Sequence, residues 1–207
     1  MKIVCAYKSG GWCSFEDVVS LKNQCKDVQA DFICYTDMQK EFVNREIETK
    51  PLPNGLDGWW SKLACFQECG SVIYLDLDTL VFSDLNLLVN DVIFSQYDSI
   101  YMLDAFNSKR KWASGVMAWS GSFQWIFNCF SNYKKEIVNQ YSMDQLYIES
   151  ILDFYKISIE SVNDHLKILS YKHHIRTNNN QVPGDTDIVC FHGKPRPRDL
   201  KEMPYTI

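Results

Sequence analysis

The sequence predicts an α/β fold in which a mixed, mostly parallel central sheet carries helices on both faces. Three observations point there. An apolar run at the N-terminus leads through a loop into a helix; a second apolar run from Asp31 to Thr36 completes a βαβ unit; and SVIYLDLDTLVF, from Ser71, is the most strand-like stretch of the chain. Strands and helices alternate early and shorter mixed elements follow, the pattern of a layered α/β domain.

Each element has a local cause. KIVCAY reads as a buried strand and KSGGWC as the loop after it. Ser14 can cap the following helix, with Glu16 and Asp17 in its first turn, where carboxylates complement the helix dipole. After the strand DFICYT, Asp37 stands where the chain passes into a loop. Residues 38–57 mix polarities and contain Pro51, Pro53 and Gly55, so the expectation is an irregular connection. Gly58 to Cys69 reads as helical, with Gly70 ending it. SVIYLDLDTLVF is expected as one central strand, followed by strands at Ser99 to Leu103 and Gly115 to Trp119. A helix is expected from about Phe123 to Tyr141 and another from Ser142, then short strands that include Leu166 to Ser170 and Ile188 to Phe191.

The 207 residues, 46% hydrophobic and 14% aromatic, suffice for one substantial core, so a single domain over 1–207 is expected. A net charge of −5, with basic and acidic residues spread along the chain, gives no general attraction to nucleic acid or anionic lipid. No apolar run approaches the roughly 20 residues of a membrane-spanning helix, and no signal peptide is expected. The eight cysteines are scattered without paired metal-binding spacings, which predicts reduced, mostly buried thiols and a cytoplasmic protein.

The chemistry concentrates at Asp76 and Asp78. In a strand, residues two apart point to one side, about 7 Å apart at Cα. Two carboxylates ending an apolar strand repel each other and resist desolvation unless a cation compensates them. Such hard oxygen donors suit Mn²⁺ or Mg²⁺, ions that bridge carboxylates to phosphates.

With IVCAY, GWWSKLACF before the metal strand, YLDLDTLVF, ASGVMAW, the pair Asp144 and Gln145, and the late FHGKP, the sequence resembles the nucleotide-sugar glycosyltransferases of the glycogenin and lipopolysaccharide galactosyltransferase type, a family 8-like group with the GT-A fold. The resemblance implies a metal-dependent, retaining transfer from a nucleoside-diphosphate sugar, UDP-linked, to an acceptor that is a glycan, a lipid-linked sugar or a protein. The residues themselves leave retention and inversion open. It implies a nucleotide-binding half over 1–80 and a sugar- and acceptor-binding half over 81–207. By the same resemblance Ala6, Tyr7, Tyr35, Thr36 and Asp37 line the base and ribose pocket, Lys62 reaches the donor, and Asp76 and Asp78 hold the metal. Asp144 stabilises or attacks the cationic sugar ring, and Gln145 orients it. Asp104, after the strand IYMLD, is a further candidate for the sugar hydroxyls.

Two departures are visible. Aligned on Gly193, Cys190 falls where the family places its metal-binding histidine; if Ile188 to His192 is a strand, His192 shares a face with Cys190 and still reaches the metal, while Lys194 neutralises the diphosphate. Ala113 stands where a sugar-binding asparagine is usual, and the hydroxyl of Ser114 can substitute.

Rival readings remain. DLDT also looks like the first motif of haloacid dehalogenase-type phosphatases, with Asp76 as nucleophile, and GDTD at residues 184–187 echoes their later acidic motif; but two strands precede it here, and FHGKP has no role there. A sugar-nucleotide pyrophosphorylase would carry a Gly-rich basic loop after the first strand, of which KSGGWC is a poor version. A non-catalytic nucleotide-sugar binder would keep the fold without turnover.

Overall fold

The computed structural model describes residues 1–43, 45–83, 85, 99–107, 109–200 and 205–206. Seven strands form the main sheet: β1 (Lys2–Tyr7), β2 (Asp31–Thr36), β3 (Glu48–Pro51), β4 (Val72–Leu75), β6 (Ile100–Asp104), β7 (Trp112–Trp119) and β8 (Ile159–Ser161), in the order β3-β2-β1-β4-β7-β6-β8. β7 runs against both its neighbours and every other pairing is parallel. The mixed, mostly parallel sheet is the one the sequence predicts.

Alternation along the strands sorts the core into two layers. Ile3 and Cys5 of β1, Ile73 and Leu75 of β4 and Val116 of β7 pack with Val18 and Leu21 of helix α1 (Phe15–Gln24). On the opposite face, Val4, Tyr74, Met117 and Trp119 pack with Leu63 and Phe66 of a 3-10 helix (Gly58–Gln67). The same layer takes in Ile126 and Phe130 of α2 (Gln124–Asn132), Ile137 of α3 (Lys134–Gln140), and Ile148 and Leu152 of α4 (Asp144–Phe154). Ser14 and Asp17 form the capping box that starts α1.

Smaller sheets complete the fold. β5 (Thr79–Val81) and β9 (Ile168–Ser170) flank β11 (Ile188–Cys190), and β10 (Gln181–Val182) pairs with β12 (Tyr205–Thr206).

Four expectations are corrected. Residues 38–57 contain β3, an edge strand whose ETKP sequence has no apolar alternation to announce it and whose last residue is Pro51, tolerated at an edge. The single strand expected from Ser71 is two strands in two sheets: after Leu75 the chain turns, the amide and hydroxyl of Thr79 donating to the Asp76 carbonyl at 3.2 and 2.8 Å. The helix expected over residues 123–141 breaks at Tyr133 (φ −125°) into α2 and α3, and Lys134 at the start of α3 is tied to the Gly55 carbonyl. α4 starts at Asp144, with Met143 rather than Ser142 at the position before it and no side-chain cap hydrogen bond.

Candidate active site

The site is built on the phase of β4. Val72 and Tyr74 face the helical layer, and Asp76, next in that alternation, continues toward it just beyond the strand. The Tyr74 hydroxyl donates to Asp76 Oδ1 at 2.5 Å, and Lys62, from the 3-10 helix, places its ammonium 3.2 Å from the same oxygen. Lys62 is buried and also meets Asp144 Oδ2 at 3.2 Å, the Ser114 carbonyl at 3.1 Å and the Ser114 hydroxyl at 3.0 Å; that hydroxyl in turn donates to Asp144 at 2.8 Å. Gly115 leaves room for this arrangement, since a Cβ there would lie 3.3 Å from Asp76 Oδ2.

One lysine therefore serves two carboxylates, with Asp78 close by. Burial alone would depress Lys62, but Asp144 and Asp76 hold its ammonium above the ordinary range. Asp76 goes the other way: desolvation by the surrounding protein raises its carboxyl, and Asp78 and Asp144 add to this against Lys62 and Tyr74. Its side chain still keeps 33% of its surface open to the cleft, so the desolvation is that of a crowded wall rather than of a sealed core.

Asp78 lies in the turn after β4, not on a strand, and the expected strand geometry for the pair is corrected accordingly. Its Oδ2 accepts from the Gly193 amide at 2.9 Å and its carbonyl from the Phe191 amide at 3.1 Å. This pairing bends the late segment: β11 stops at Cys190, and His192 (φ 53°) and Gly193 (φ 87°) turn left-handed. His192 thus reaches the cleft through the turn rather than by sharing a strand face with Cys190. Burial, with repulsion from Lys172 and His173, lowers its pKa to about 4 although Asp76 opposes this, so the ring is neutral at pH 7 and retains a donor lone pair. His192 as a residue is exposed, and it lines the cleft.

Asp76, Asp78, His192, Gly193, Lys62 and Ala6 border one cleft of about 480 Å³. Its rim comes from Trp59, of the WW pair, and from residues that no sequence motif marked as part of a site: Lys8 and Trp12 in the loop after β1, and Arg196. Trp12 and Trp59 meet edge to face at 6.3 Å, and the Arg196 guanidinium lies 5.5 Å from the Trp12 ring centre while donating to the Trp12 carbonyl. A shallower groove of about 510 Å³ along α1, lined by Phe15, Val19 and Arg45 among others, gathers no comparable set of acids.

Among the described residues, no three His, Cys, Asp or Glu side chains converge closely enough to hold a metal by themselves. The donors that line the cleft, two carboxylates and a neutral imidazole, nevertheless fit a divalent cation that takes the rest of its shell from a bound ligand. The surplus of negative charge around Lys62 and the raised carboxyl of Asp76 are what such an ion relieves.

No protein-family model matches the chain, and no curated protein matches it by sequence. Solved structures do match in shape. The glycosyltransferase GlyE of Streptococcus pneumoniae TIGR4 superposes with a TM-score of 0.65 over 98% of this chain and 57% of its own, at 14% identity. A glycosyltransferase involved in glycosylation of the major capsid of PBCV-1 gives 0.61 over 91% and 92%, at 12% identity. The galactosyltransferase LgtC, in complex with donor and acceptor sugar analogs, gives 0.58 over 95% and 89%, at 12% identity. The chain has the GT-A glycosyltransferase fold. It spans a little over half the length of GlyE.

Within the GT-A framework the other expected site residues are dispersed. Tyr7 is buried against Phe42, and the Tyr35 hydroxyl donates to Glu68 at 2.7 Å. Thr36 accepts from the Met38 amide at 3.0 Å. Asp37 accepts from Lys8 Nζ (2.6 Å), the Ser9 amide (2.9 Å) and the Ser9 hydroxyl (2.6 Å). Against the effect of burial, these bonds lower its pKa to about 2, so it anchors the loop that carries Lys8 and Trp12. Asp144 is buried and reaches the cleft through Lys62 and Ser114; Gln145 donates to the Trp112 carbonyl and to Glu149. Asp104 is exposed and held by Ser161 at 2.9 Å, and Lys194 is exposed; neither borders the cleft. The overlooked residues did leave signals: KSGGWC, weak as a phosphate loop, still brings Lys8 to the rim, and the Pro-Arg tail brings Arg196.

Proposed function

We propose that this chain is a glycosyltransferase that moves a sugar from a nucleoside-diphosphate sugar, UDP-linked, to an acceptor hydroxyl. One observation carries the reading: on a GT-A fold, Asp76, Asp78 and His192 line a single cleft in which Lys62 is the only buried cation against Asp76 and Asp144 among the described residues. Asp76, Asp78 and His192 would hold Mn²⁺ or Mg²⁺, which when bound supplies positive charge to the donor diphosphate.

The chain's own groups do the rest. Departure of the diphosphate develops negative charge on the leaving oxygen, and Lys62, fixed by Asp144 and Ser114, presents a preorganised ammonium beside Asp76. Asp144 is in this reading a positioning residue, because its carboxylate touches Lys62 and Ser114. Arg196 at the rim adds positive charge where the diphosphate enters, Lys8 lies beside it paired with Asp37, and Lys194, exposed beyond Gly193, would neutralise the diphosphate from outside the cleft wall. Residues 1–80 supply the nucleotide side and residues 81–207 the sugar and acceptor side. Retention of anomeric configuration is part of the proposal, and the anomer of the product, read by NMR, tests it. All eight cysteines are unpaired thiols, which supports a reducing, cytoplasmic setting, and no helix among the described residues is long and apolar enough to cross a membrane.

The phosphatase reading is not supported by this site. Asp76, its nucleophile, is engaged by Tyr74 and Lys62 on a GT-A fold. A thermal-shift and hydrolysis screen of nucleotide sugars with and without Mn²⁺, repeated on Asp78→Asn, tests the proposal. Metal-dependent stabilisation by UDP and slow sugar release, both lost in the variant, are the expected results. A binder without turnover would show the first alone, and phosphate release from simple monoesters would overturn the transferase.

A further inference from the structure

Beyond His192 the surface changes sign. Between His165 and Gly184 the sequence holds Lys167, Lys172, Arg176 and three histidines without one acidic residue, in a chain of net charge −5. Lys167 is paired with Asp185 at 2.5 Å, whereas Lys172 and Arg176 form no ion pair among the described residues.

The fold brings this stretch against the cleft. Lys172 Nζ donates to the His192 carbonyl at 2.6 Å, and the Phe106 ring packs edge-on against both His192 (4.7 Å) and His174 (5.9 Å). Nδ1 of His174 accepts from the Ser170 amide at 2.9 Å, which leaves Nε2 as that ring's remaining polar atom. His173, His174 and Arg176 are exposed, with Arg176 one turn beyond Lys172. None of these four residues borders the cleft itself, so they are placed to read what extends out of it.

We propose that the acceptor carries a phosphate, held by Lys172, His173, His174 and Arg176, while the hydroxyl to be glycosylated lies in the cleft on the other side of His192; this rests on the transferase reading. Several donors with two unpaired fixed charges suit a group of charge near −2, which a phosphomonoester carries and a carboxylate does not. In the transfer, the bond from the sugar's anomeric carbon to the diphosphate oxygen breaks with its electron pair going to that oxygen. A bond from the same carbon to the acceptor hydroxyl oxygen forms, and the hydroxyl proton passes to solvent. The acceptor phosphate is unchanged.

Glycerol 3-phosphate is the probe, titrated into ¹⁵N-labelled protein already saturated with UDP and Mg²⁺ so that the donor site is filled. Saturable amide shifts confined to residues 171–178 and 192–194 are expected, with none from glycerol. Arg176→Glu, at an exposed position, should weaken the probe about tenfold, and added salt should weaken it in the wild type. A short-chain soluble phosphatidic acid forms a second arm: tighter binding than glycerol 3-phosphate assigns the phosphate to a lipid-linked acceptor, and equal binding to a soluble one. If the preceding UDP titration shifts nothing, the transferase reading falls and this inference with it. If UDP binds but glycerol 3-phosphate gives no saturable shifts, or Arg176→Glu binds it as the wild type does, the acceptor phosphate alone is overturned.

Discussion

Two carboxylates lie on either side of the same 3-10 helix and are treated in opposite ways. Glu68, at its C-terminal end, accepts from Lys2 at 2.8 Å, Lys50 at 2.5 Å and Tyr35 at 2.7 Å, so two cations serve one anion. Asp76 shares its one lysine with Asp144 and faces Asp78. Burial raises both carboxyls, but the three donors pull Glu68 below its ordinary value, whereas Asp76 stays above. The first network is complete and pins β1 and β3 to the helix. The second is short of positive charge and opens on a cleft, which is how a site differs from a strut.

The largest effect should come from Asp76→Asn. Transfer or hydrolysis of the donor is expected to fall about 10³-fold, the scale of losing a preorganised electrostatic group. Its folded pKa is raised above the unfolded value of 3.8, so its favourable contribution exists below that value and is lost as pH rises through the folded one. At pH 7 without metal the variant should therefore melt no lower than the wild type, while its stabilisation by Mn²⁺ disappears. A large melting-temperature loss in the metal-free variant would make Asp76 a strut like Glu68.

Lys62→Met comes next. It leaves the buried Asp144 and the half-buried Asp76 together with no cation, a loss of about 3 kcal/mol by urea unfolding. Adding Asp144→Asn should restore part of it, and the double-mutant cycle measures the coupling. Strictly additive losses would show that the three-way contact carries no energy.

The two regions are unequally legible in the sequence. Asp76, Lys62, Ser114 and Asp144 are far apart in the chain, yet each was singled out from its neighbourhood: an acid after VIYL, a lysine among WWS and LACF, a hydroxyl beside Ala113, an acid at a helix start. What could not be read was that they meet through Lys62, because alternation gives the face of a strand but not the reach of a side chain from the layer above. The turn at residues 76–78 was hidden because TLV after it continues the same apolar run into a different sheet. β3 was hidden because an edge strand needs no apolar face. Glu68 gave no signal at all; its partners are 66, 33 and 18 residues away.

Glu68→Gln should cost about 2 kcal/mol, because Lys2, Lys50 and Tyr35 lose a charged acceptor, and should leave turnover unchanged. Its folded pKa is depressed from 4.5, so its contribution is present above that value and is lost as pH falls through the folded one. The stability gap between wild type and variant is therefore full at pH 7 and closes in acid below 4.5. A gap that persisted unchanged to low pH would mean that packing, not charge, holds this end of the sheet.

The smallest effect concerns the rim. Trp12 is 66% exposed and Trp59 55%, and large indoles left this open at the mouth of a cleft have ligand-facing surface to offer. The two arginines that grip Trp12, Arg196 and Arg198, do so through its backbone carbonyl, which Trp12→Ala retains. The substitution should therefore cost only about 1 kcal/mol of stability, the scale of one cation–π contact near the surface. It removes the aromatic face offered to a ligand, together with the edge contact to Trp59 and the contact with the Arg196 guanidinium. The expected outcome is a rise of about fivefold in donor KM with kcat unaltered. Trp12→Phe, which keeps a ring, should recover most of it. Were kcat to fall instead with KM unchanged, the rim would be acting on the transition state and not on entry, and the division between a charged floor that does chemistry and an aromatic mouth that binds would have to be redrawn.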